Sequence, residues 1–311
     1  MMSRVLIVGS EGQIGSQLSI ELSKTIDFDK LFLSDIKDKS KTDFKYLKVD
    51  ALSYDDLKKN ILDNDISEVY HLAAILSAKG EKVPKKTWNL NMNSLFNILN
   101  LAKEKIIKKV FWPSSIAVFG DSSSKNETPQ FTDKEPITVY GISKLAGENW
   151  CKYYNEAYDT DVRSLRFPGV ISYDTPPGGG TTDYAVDIFH SFKSGKNYNC
   201  FLNEDTTLPM IYIDDAINAI IKLMKTSKDN IRIKSSYNIS GFSMSPKMIA
   251  DELKNLNKEF DVEYNCDFRQ AIADSWPNSI MDNYAREDWD WKENFDFKKT
   301  VNEMIHKLNI K

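Results

Sequence analysis

The sequence predicts an α/β fold, a doubly wound parallel sheet covered by helices and followed by a smaller C-terminal domain. Three observations predict it. Short β-branched runs alternate with helix-length amphipathic segments through the first half of the chain, the pattern of strands joined by covering helices. Gly9, Gly12 and Gly15 fall between the first such strand and the first helix. Beyond residue 168 the regular alternation breaks, which sets a boundary: residues 1–168 form the first domain, 205–240 return to it, and 169–311 are mainly the second.

Each element follows from its residues. "RVLIV" (4–8) is a continuous apolar run and reads as a buried strand. "QIGSQLSIELSKT" (13–25) carries Ile14, Leu18, Ile20 and Leu22 at roughly helical spacing. Strands "KLFLS" (30–34) and "YLKV" (46–49) follow, then a helix capped by Ser53. Strand "EVYHL" (68–72), a long helix around 87–104, strand "KKVFW" (108–112), a helix from about Tyr140 and strand "DVRSLRF" (161–167) complete the half. "DTPPGGG" (174–180) combines two prolines and three glycines and must be a loop. "MIYIDDAINAIIKLM" (210–224) reads as a strand and an Asp-capped helix that return to the main sheet. "SPKMIADELKNLN" (245–257) is a helix with a Ser cap and Pro at its first position.

Bulk properties narrow the function classes. With 41% hydrophobic and 28% charged residues the chain has the composition of a folded soluble protein. A net charge of −4 and scattered basic residues give no surface for nucleic acid or anionic membrane. No apolar run reaches the roughly 20 residues of a membrane helix, and the first strand leaves no room for a signal peptide. Cys151, Cys200 and Cys266 are unpaired by spacing, which fits a reducing cytoplasmic setting. His71, His190 and His306 are equally dispersed, so no metal site is expected.

The glycines carry the first chemical signal. Gly9 permits a tight turn, Gly12 lets backbone approach a pyrophosphate, and Gly15 lets the helix pack close to the strand. A diphosphate then sits on the helix N-terminus, where free N–H groups and the dipole favour negative charge. The spacing is Gly-x-x-Gly-x-x-Gly, with Gln13 and Ile14 inside it. Asp35 ends the second strand, where a carboxylate accepts hydrogen bonds from ribose hydroxyls and repels a 2′-phosphate. NAD is therefore expected over NADP, although Lys37, Lys39 and Lys41 lie close by. Ile36, Asp50 and Ala51, at the ends of strands two and three, are further cofactor candidates, as are Leu72, Ala73 and Ala74 in "HLAA". His71 reads as a packed strand residue.

Tyr140 and Lys144, four residues apart in "VYGISKLAGE", share one helix face. An ammonium beside a phenol, joined by the positive nicotinamide, favours the phenolate and suits the tyrosine to general-base work. Such a pair alone is common on helices. In order with the glycine turn, Asp35, Asp50, "HLAA" and "PSSIAVFG", it resembles the extended short-chain dehydrogenase/reductase family over essentially the whole chain. The resemblance implies a Rossmann fold with a C-terminal substrate-binding domain, and a triad of Ser115, Tyr140 and Lys144, with Ser114 the adjacent alternative. It also places Asn91, with Asn93 as its rival, and Pro168 beside the cofactor, and it implies a homodimer through the helices near 87–104 and after Tyr140.

"RFPGVISYDTPPGGGTTDYAVDIFHSF" (166–192), "HLAAILSAKGE", "LPMIYIDDA", "YNISGFSMSP", "RQAIADSWP" and "AREDWDWK" resemble the short-chain, metal-independent L-threonine 3-dehydrogenase family. Two departures stand out: Asp290 where that family often has Gly, and Ser115 where several members have Thr. The resemblance implies NAD-dependent oxidation of L-threonine at C3 to 2-amino-3-oxobutyrate, a product handed to a coenzyme A-dependent lyase. A zwitterionic substrate needs donors for its carboxylate: Ser77 and Thr181 are candidates, with Gly179 and Thr182 beside them and the glycine loop as a lid. Trp276 is either packing or a substrate wall. Arg166 and Arg286 are expected in structural ion pairs, and Trp289 and Trp291 in packing. The rival within the same fold is a nucleotide-sugar epimerase or dehydratase, but the 174–182 loop offers no arginine cluster for a diphosphate. A cofactor-sensing binding protein is the rival outside enzymes, and it has no use for the triad.

Overall fold

Val5, Leu6, Ile7 and Val8 are all buried although they point alternately to opposite faces of their strand. Val5 and Ile7 enter one apolar layer, Leu6 and Val8 the other, so the strand is covered on both sides as a parallel sheet requires. The computed structural model describes residues 3–38, 42–174 and 178–308. Its elements run β1 (Arg4–Val8), α1 (Gln13–Ser23), β2 (Leu31–Asp35), β3 (Lys45–Lys48), α2 (Tyr54–Asp63) and β4 (Ile66–His71). Short helices α3 (Ser77–Glu81) and α4 (Pro84–Trp88) lead through a π-helical segment, Asn89–Asn93, into α5 (Ser94–Lys103). β5 (Lys109–Ser115), α6 (Val139–Ala157), β6 (Val162–Phe167), β7 (Gly169–Ile171), α7 (Tyr184–Lys193), β8 (Tyr198–Cys200) and β9 (Leu208–Tyr212) follow. The chain continues with α8 (Ile213–Lys225), β10 (Tyr237–Asn238), β11 (Phe242–Met244), α9 (Pro246–Leu256), β12 (Val262–Tyr264), α10 (Arg269–Asp274), α11 (Asn283–Trp289) and α12 (Phe297–Lys307).

The main sheet has seven parallel strands in the order β10-β6-β5-β4-β1-β2-β3. This is the doubly wound parallel sheet the sequence predicts. The chain winds outward from β1 toward β3 and then restarts at β4, so a crevice opens at the carboxyl ends of β1 and β4. The glycine turn and "HLAA" both lie there.

Several elements differ from expectation. The strand at 208–212 joins β7 and β11 in a separate three-stranded sheet; its helix α8 packs on α1 and β6, and only the two-residue β10 returns to the main sheet. Helix α8 is not Asp-capped. It starts directly after β9, with Tyr212 at the cap and Asp214 and Asp215 already in the first turn. The Asp215 carboxylate instead accepts the Asn294 and Phe295 N–H groups. The helix expected near 87–104 begins earlier, at Pro84, whose fixed φ suits a first helical position. Strand β5 runs on through Ser115, which carries both serines to the crevice. Caps at Ser53 and Ser245 stand as expected, accepting from Asp56 N and Met248 N. Asp290 has φ +54° in the left-handed region that ends α11; glycine suits that conformation and Asp tolerates it, so the departure from the family pattern has a backbone reason. Among the described residues no helix is long and apolar enough to cross a membrane.

Candidate active site

The glycine turn closes tightly on the sheet. The Gly9 and Ser10 N–H groups donate to Ser34 O at 2.8 and 3.0 Å. Gly9 has φ +86°, and a Cβ on it would meet Ala73 N at 2.7 Å. A Cβ on Gly15 would come within 2.4 Å of Gly9 O, so any side chain there drives α1 off β1. Gly12 caps α1 without a side-chain acceptor, which leaves the first-turn N–H groups available for an anion. These features fit a dinucleotide pyrophosphate.

From this turn a cleft of about 610 Å³ runs to the N-terminal end of α6. Gly9, Gly12, Gln13, Ile14, Gly15 and Asp35 line one end, Leu72, Ala74 and Pro168 the middle, and Ser77, Ser115, Tyr140 and Lys144 the other. Asp35 ends β2 as predicted, and its two oxygens each accept one N–H, from Glu11 and Lys37, at 3.3 Å. Lys37 lines the cleft beside it, while Lys39 and Lys41 lie outside the described residues. Gln13 Nε2 donates to Val170 O across the cleft at 3.4 Å.

Other candidates do not line the cleft. Ile36 is 64% exposed. Asp50 turns one carboxylate oxygen to Leu52 N at 2.9 Å, and Ala51 O accepts Asn97 Nδ2. Ala73 backs the glycine turn. Asn91 is buried and acts as a clamp: its Oδ1 accepts Ile75 N at 2.9 Å, while its Nδ2 donates to Ile75 O and Ser143 Oγ. Asn93 is exposed and its Nδ2 donates to Asn89 Oδ1, so of the two asparagines it is Asn91 that is bonded to the cleft-lining Ile75.

At the far end Ser115 stands close enough to Tyr140 to oppose the rise of its phenol, and its Oγ accepts the Ala117 N–H at 3.2 Å, whereas Ser114 turns inward to Glu148 Oε1 at 2.6 Å. Ser115 is thus the hydroxyl facing the phenol. Lys144 is buried; its Nζ donates to Pro113 O at 2.5 Å and lies 4.5 Å from the Trp112 ring centre and 5.5 Å from that of Tyr140. The expectation that Lys144 lowers the tyrosine is not met by these charges alone. Burial pushes Tyr140 up to about 12, with the Ser115 hydrogen bond the opposing influence. Burial also brings Lys144 down to about 7, against the pull of Cys151 and Glu148. Desolvation disfavours both charged forms more than their proximity favours them.

Ser77 and Thr181 meet: their hydroxyls lie 3.1 Å apart, and Thr181 N donates to Ser77 Oγ at 3.1 Å. Thr181 is buried behind the wall, and Gly178, Gly180 and Thr182 line the cleft in place of Gly179 and Thr181. Of the glycine-rich loop, residues 175–177 lie outside the described residues. Trp276 is buried and lines the cleft, so it both packs and walls. Asp183 was not singled out in the sequence; its Oδ2 accepts Gly179 N at 2.8 Å and Gly180 N at 2.7 Å and holds that loop. Only its position after "GGGTT" pointed to it. Arg166 and Arg286 form structural ion pairs, with Glu148 and with Asp282 and Glu293. Trp289 and Trp291 pack together, with Trp291 Nε1 on Asp282. His71 is buried with Nε2 on Ser94 Oγ at 2.9 Å, and burial takes it down to about 3, so it is a neutral packed residue.

The model of the NAD dependent epimerase/dehydratase family matches residues 5–240. The chain is 40% identical over 307 residues to the mitochondrial L-threonine 3-dehydrogenase of Bos taurus, which spans 97% of this chain and 82% of that protein. The holo form of the GalE-like L-threonine dehydrogenase from Cupriavidus necator superimposes with a TM-score of 0.96 at 47% identity, covering 98% of this chain and all of that one. A monomeric L-threonine 3-dehydrogenase of metagenomic origin, in apo form, gives a TM-score of 0.93 at 42% identity, covering 98% of each chain.

The buried lysine makes a stability prediction. Its ordinary value is 10.5 and its folded value about 7. Between the two, the unfolded chain holds a proton that the folded chain has released, so Lys144's contribution to stability rises with pH across that window. Urea denaturation at about pH 7 and about pH 9 should show wild type gaining on Lys144→Met as pH rises; a gap independent of pH would refute the assignment.

Proposed function

The chain belongs to the NAD dependent epimerase/dehydratase family, and from that premise we propose that it oxidises L-threonine at C3 to 2-amino-3-oxobutyrate. It is an NAD-dependent oxidoreductase. The observation that carries the reading is the meeting of Ser115, Tyr140 and Lys144 at one end of a cleft whose other end is the glycine turn. Relatives named for threonine dehydrogenation, 40–47% identical over nearly the whole chain, support the substrate.

NAD, when bound, supplies the hydride acceptor and a positive charge near the phenol. Gly9, Gly12 and the first turn of α1 hold its pyrophosphate, and Asp35 takes the adenosine ribose. Asn91 steadies the Ile75 segment that runs along the cleft. Ser115 donates to the substrate hydroxyl oxygen and holds it in line with Tyr140. Tyr140 accepts the hydroxyl proton as the C3–H bond breaks. Burial keeps the phenol protonated in the resting protein, so the deprotonated form is reached only when positive charge gathers around it. Lys144 adds its own ammonium and binds ribose hydroxyls. Ser77, already paired with Thr181, presents a hydroxyl to the threonine carboxylate, and Trp276 shapes the wall around the methyl group.

The protein is also read as a homodimer. Trp88, Ile142, Trp150 and Tyr153 leave a large apolar area exposed on α4 and α6, where the sequence placed the contact; light scattering giving the mass of one chain in solution would remove this part of the reading.

Threonine with NAD should give net NADH by absorbance, an outcome a cofactor-retaining sugar epimerase does not produce. Tyr140→Phe should keep NAD affinity and lose at least about two orders of magnitude in kcat; turnover within a few fold of wild type would exclude the proton transfer. Asp35→Ala should cost about tenfold or more in the NAD:NADP ratio of kcat/KM by removing the carboxylate that meets a 2′-phosphate, and an unchanged ratio would exclude its role.

A further inference from the structure

Helix α6 places Tyr140, Lys144 and Glu148 on one stripe at successive four-residue steps. Strand β5 ends in Pro113, Ser114 and Ser115. The three strand residues meet the three helix residues one to one: Pro113 O accepts Lys144 Nζ, Ser114 Oγ donates to Glu148 Oε1, and Ser115 faces Tyr140. Only the first and third of these contacts lie in the reaction as read above. The second is backed by Arg166 from β6, which grips the Glu148 carboxylate with Nε and Nη2, each at 2.8 Å. Glu148 and Arg166 are 1% and 2% exposed. Arg166 Nη1 donates further to Gln130 O and Asn238 Oδ1, both at 2.9 Å, which fixes the guanidinium against a loop and β10.

A buried ion pair contributes little net stability against an apolar replacement of the same size. Stability is therefore a poor reason for this one, and its geometry suggests another. We propose that Glu148 and Arg166 are positioning residues for the reaction: the pair fastens the end of β5 to α6, sets Ser115 against Tyr140, and holds one negative charge a helical turn from Lys144. The proposal rests on the roles of Ser115, Tyr140 and Lys144 given above.

The charges around Lys144 leave Glu148 as its partner. His71 on β4 faces it but is neutral, and Cys151 on α6 is held as a thiol by burial. Glu148 itself faces Arg166 from β6, Lys134 from the segment before α6, and Cys151. Replacing Glu148 by Gln keeps an acceptor for Ser114, removes the negative charge, and leaves Arg166 cationic and unopposed. Both changes disfavour the Lys144 ammonium.

The test titrates Lys144 directly in the full-length protein by 13Cε NMR of labelled lysine, with the resonance identified by its loss in Lys144→Met. Glu148→Gln should lower the Lys144 pKa by about one unit or more and move the alkaline limb of the kcat–pH profile the same way. A merely structural role lowers kcat equally at every pH and leaves the titration in place; an unmoved Lys144 titration overturns the charge role. Ser114→Ala leaves the ion pair intact and should lower kcat about tenfold with the KM for NAD unchanged. An unchanged kcat in that variant overturns the fastening role, and this arm decides the matter even if Glu148→Gln does not fold. Full turnover in Lys144→Met, by contrast, would overturn the reading of the site and not the ion pair's effect on the titration.

Discussion

A single ammonium buried at the join of helix α6 and strand β5 constrains everything around it. Taking a charged group out of water costs several kcal/mol even after relaxation, and the fall of Lys144 from 10.5 to about 7 is the record of that cost. The structure offsets it with the Pro113 carbonyl, the Trp112 ring face and the Glu148 carboxylate. Two of these partners belong to the strand and one to the helix, so Lys144 ties the end of β5 to α6. Ser115, two residues past Pro113, and Tyr140, one helical turn before Lys144, are carried by the same two elements. A site built on rigid elements in this way holds its geometry better than one built on loops.

The other end of the cleft obeys a different constraint, one of volume. Gly9 and Gly15 leave no space for a Cβ between β1, α1 and the Leu72–Ala73 backbone, and the uncapped start of α1 is brought to the crevice by that closeness. Parallel winding does the rest. Strands β1 and β4 are neighbours whose chains depart in opposite directions across the sheet, so a crevice opens at their carboxyl ends and a long ligand can lie across them. The distance from the glycine turn to Tyr140 is thus set by the sheet and not by any loop.

What was legible in the sequence divides along the same line. Buried strands and the glycine turn were readable because local sequence determines them: a β-branched run has one comfortable conformation, and three spaced glycines after it have few other uses. Asp35 was readable from strand end and spacing. Behaviour that depends on tertiary desolvation was not. The i, i+4 spacing of Tyr140 and Lys144 correctly placed them together, yet it carried no information on how dry the site is, and dryness reversed the expected direction for the phenol. Strand 208–212 reads as well for one sheet as for another, because pairing partners far apart in sequence leave no local mark. Arg166 was expected in an ion pair, but its partner Glu148 and the Ser114 contact were invisible for the same reason, the members lying 34 and 18 residues apart.

Dryness and long-range pairing meet in the chemistry. A phenol held at about 12 keeps its proton in the resting protein, and because excluding water raises it further, only added positive charge can make its anion accessible. The same burial that opposes the phenolate strengthens every electrostatic contact once the cleft fills. Asp183 accepts the Gly179 and Gly180 N–H groups, and Lys79 N donates to Gly179 O at 3.0 Å, so the described edge of the glycine-rich loop is held by hydrogen bonds while the glycine turn is held by the sheet. One end of the cleft is therefore fixed by packing against the sheet and the other by a few hydrogen bonds, so substitutions at the two ends act through different physical terms: lost volume at the glycine turn, lost hydrogen bonds at the loop.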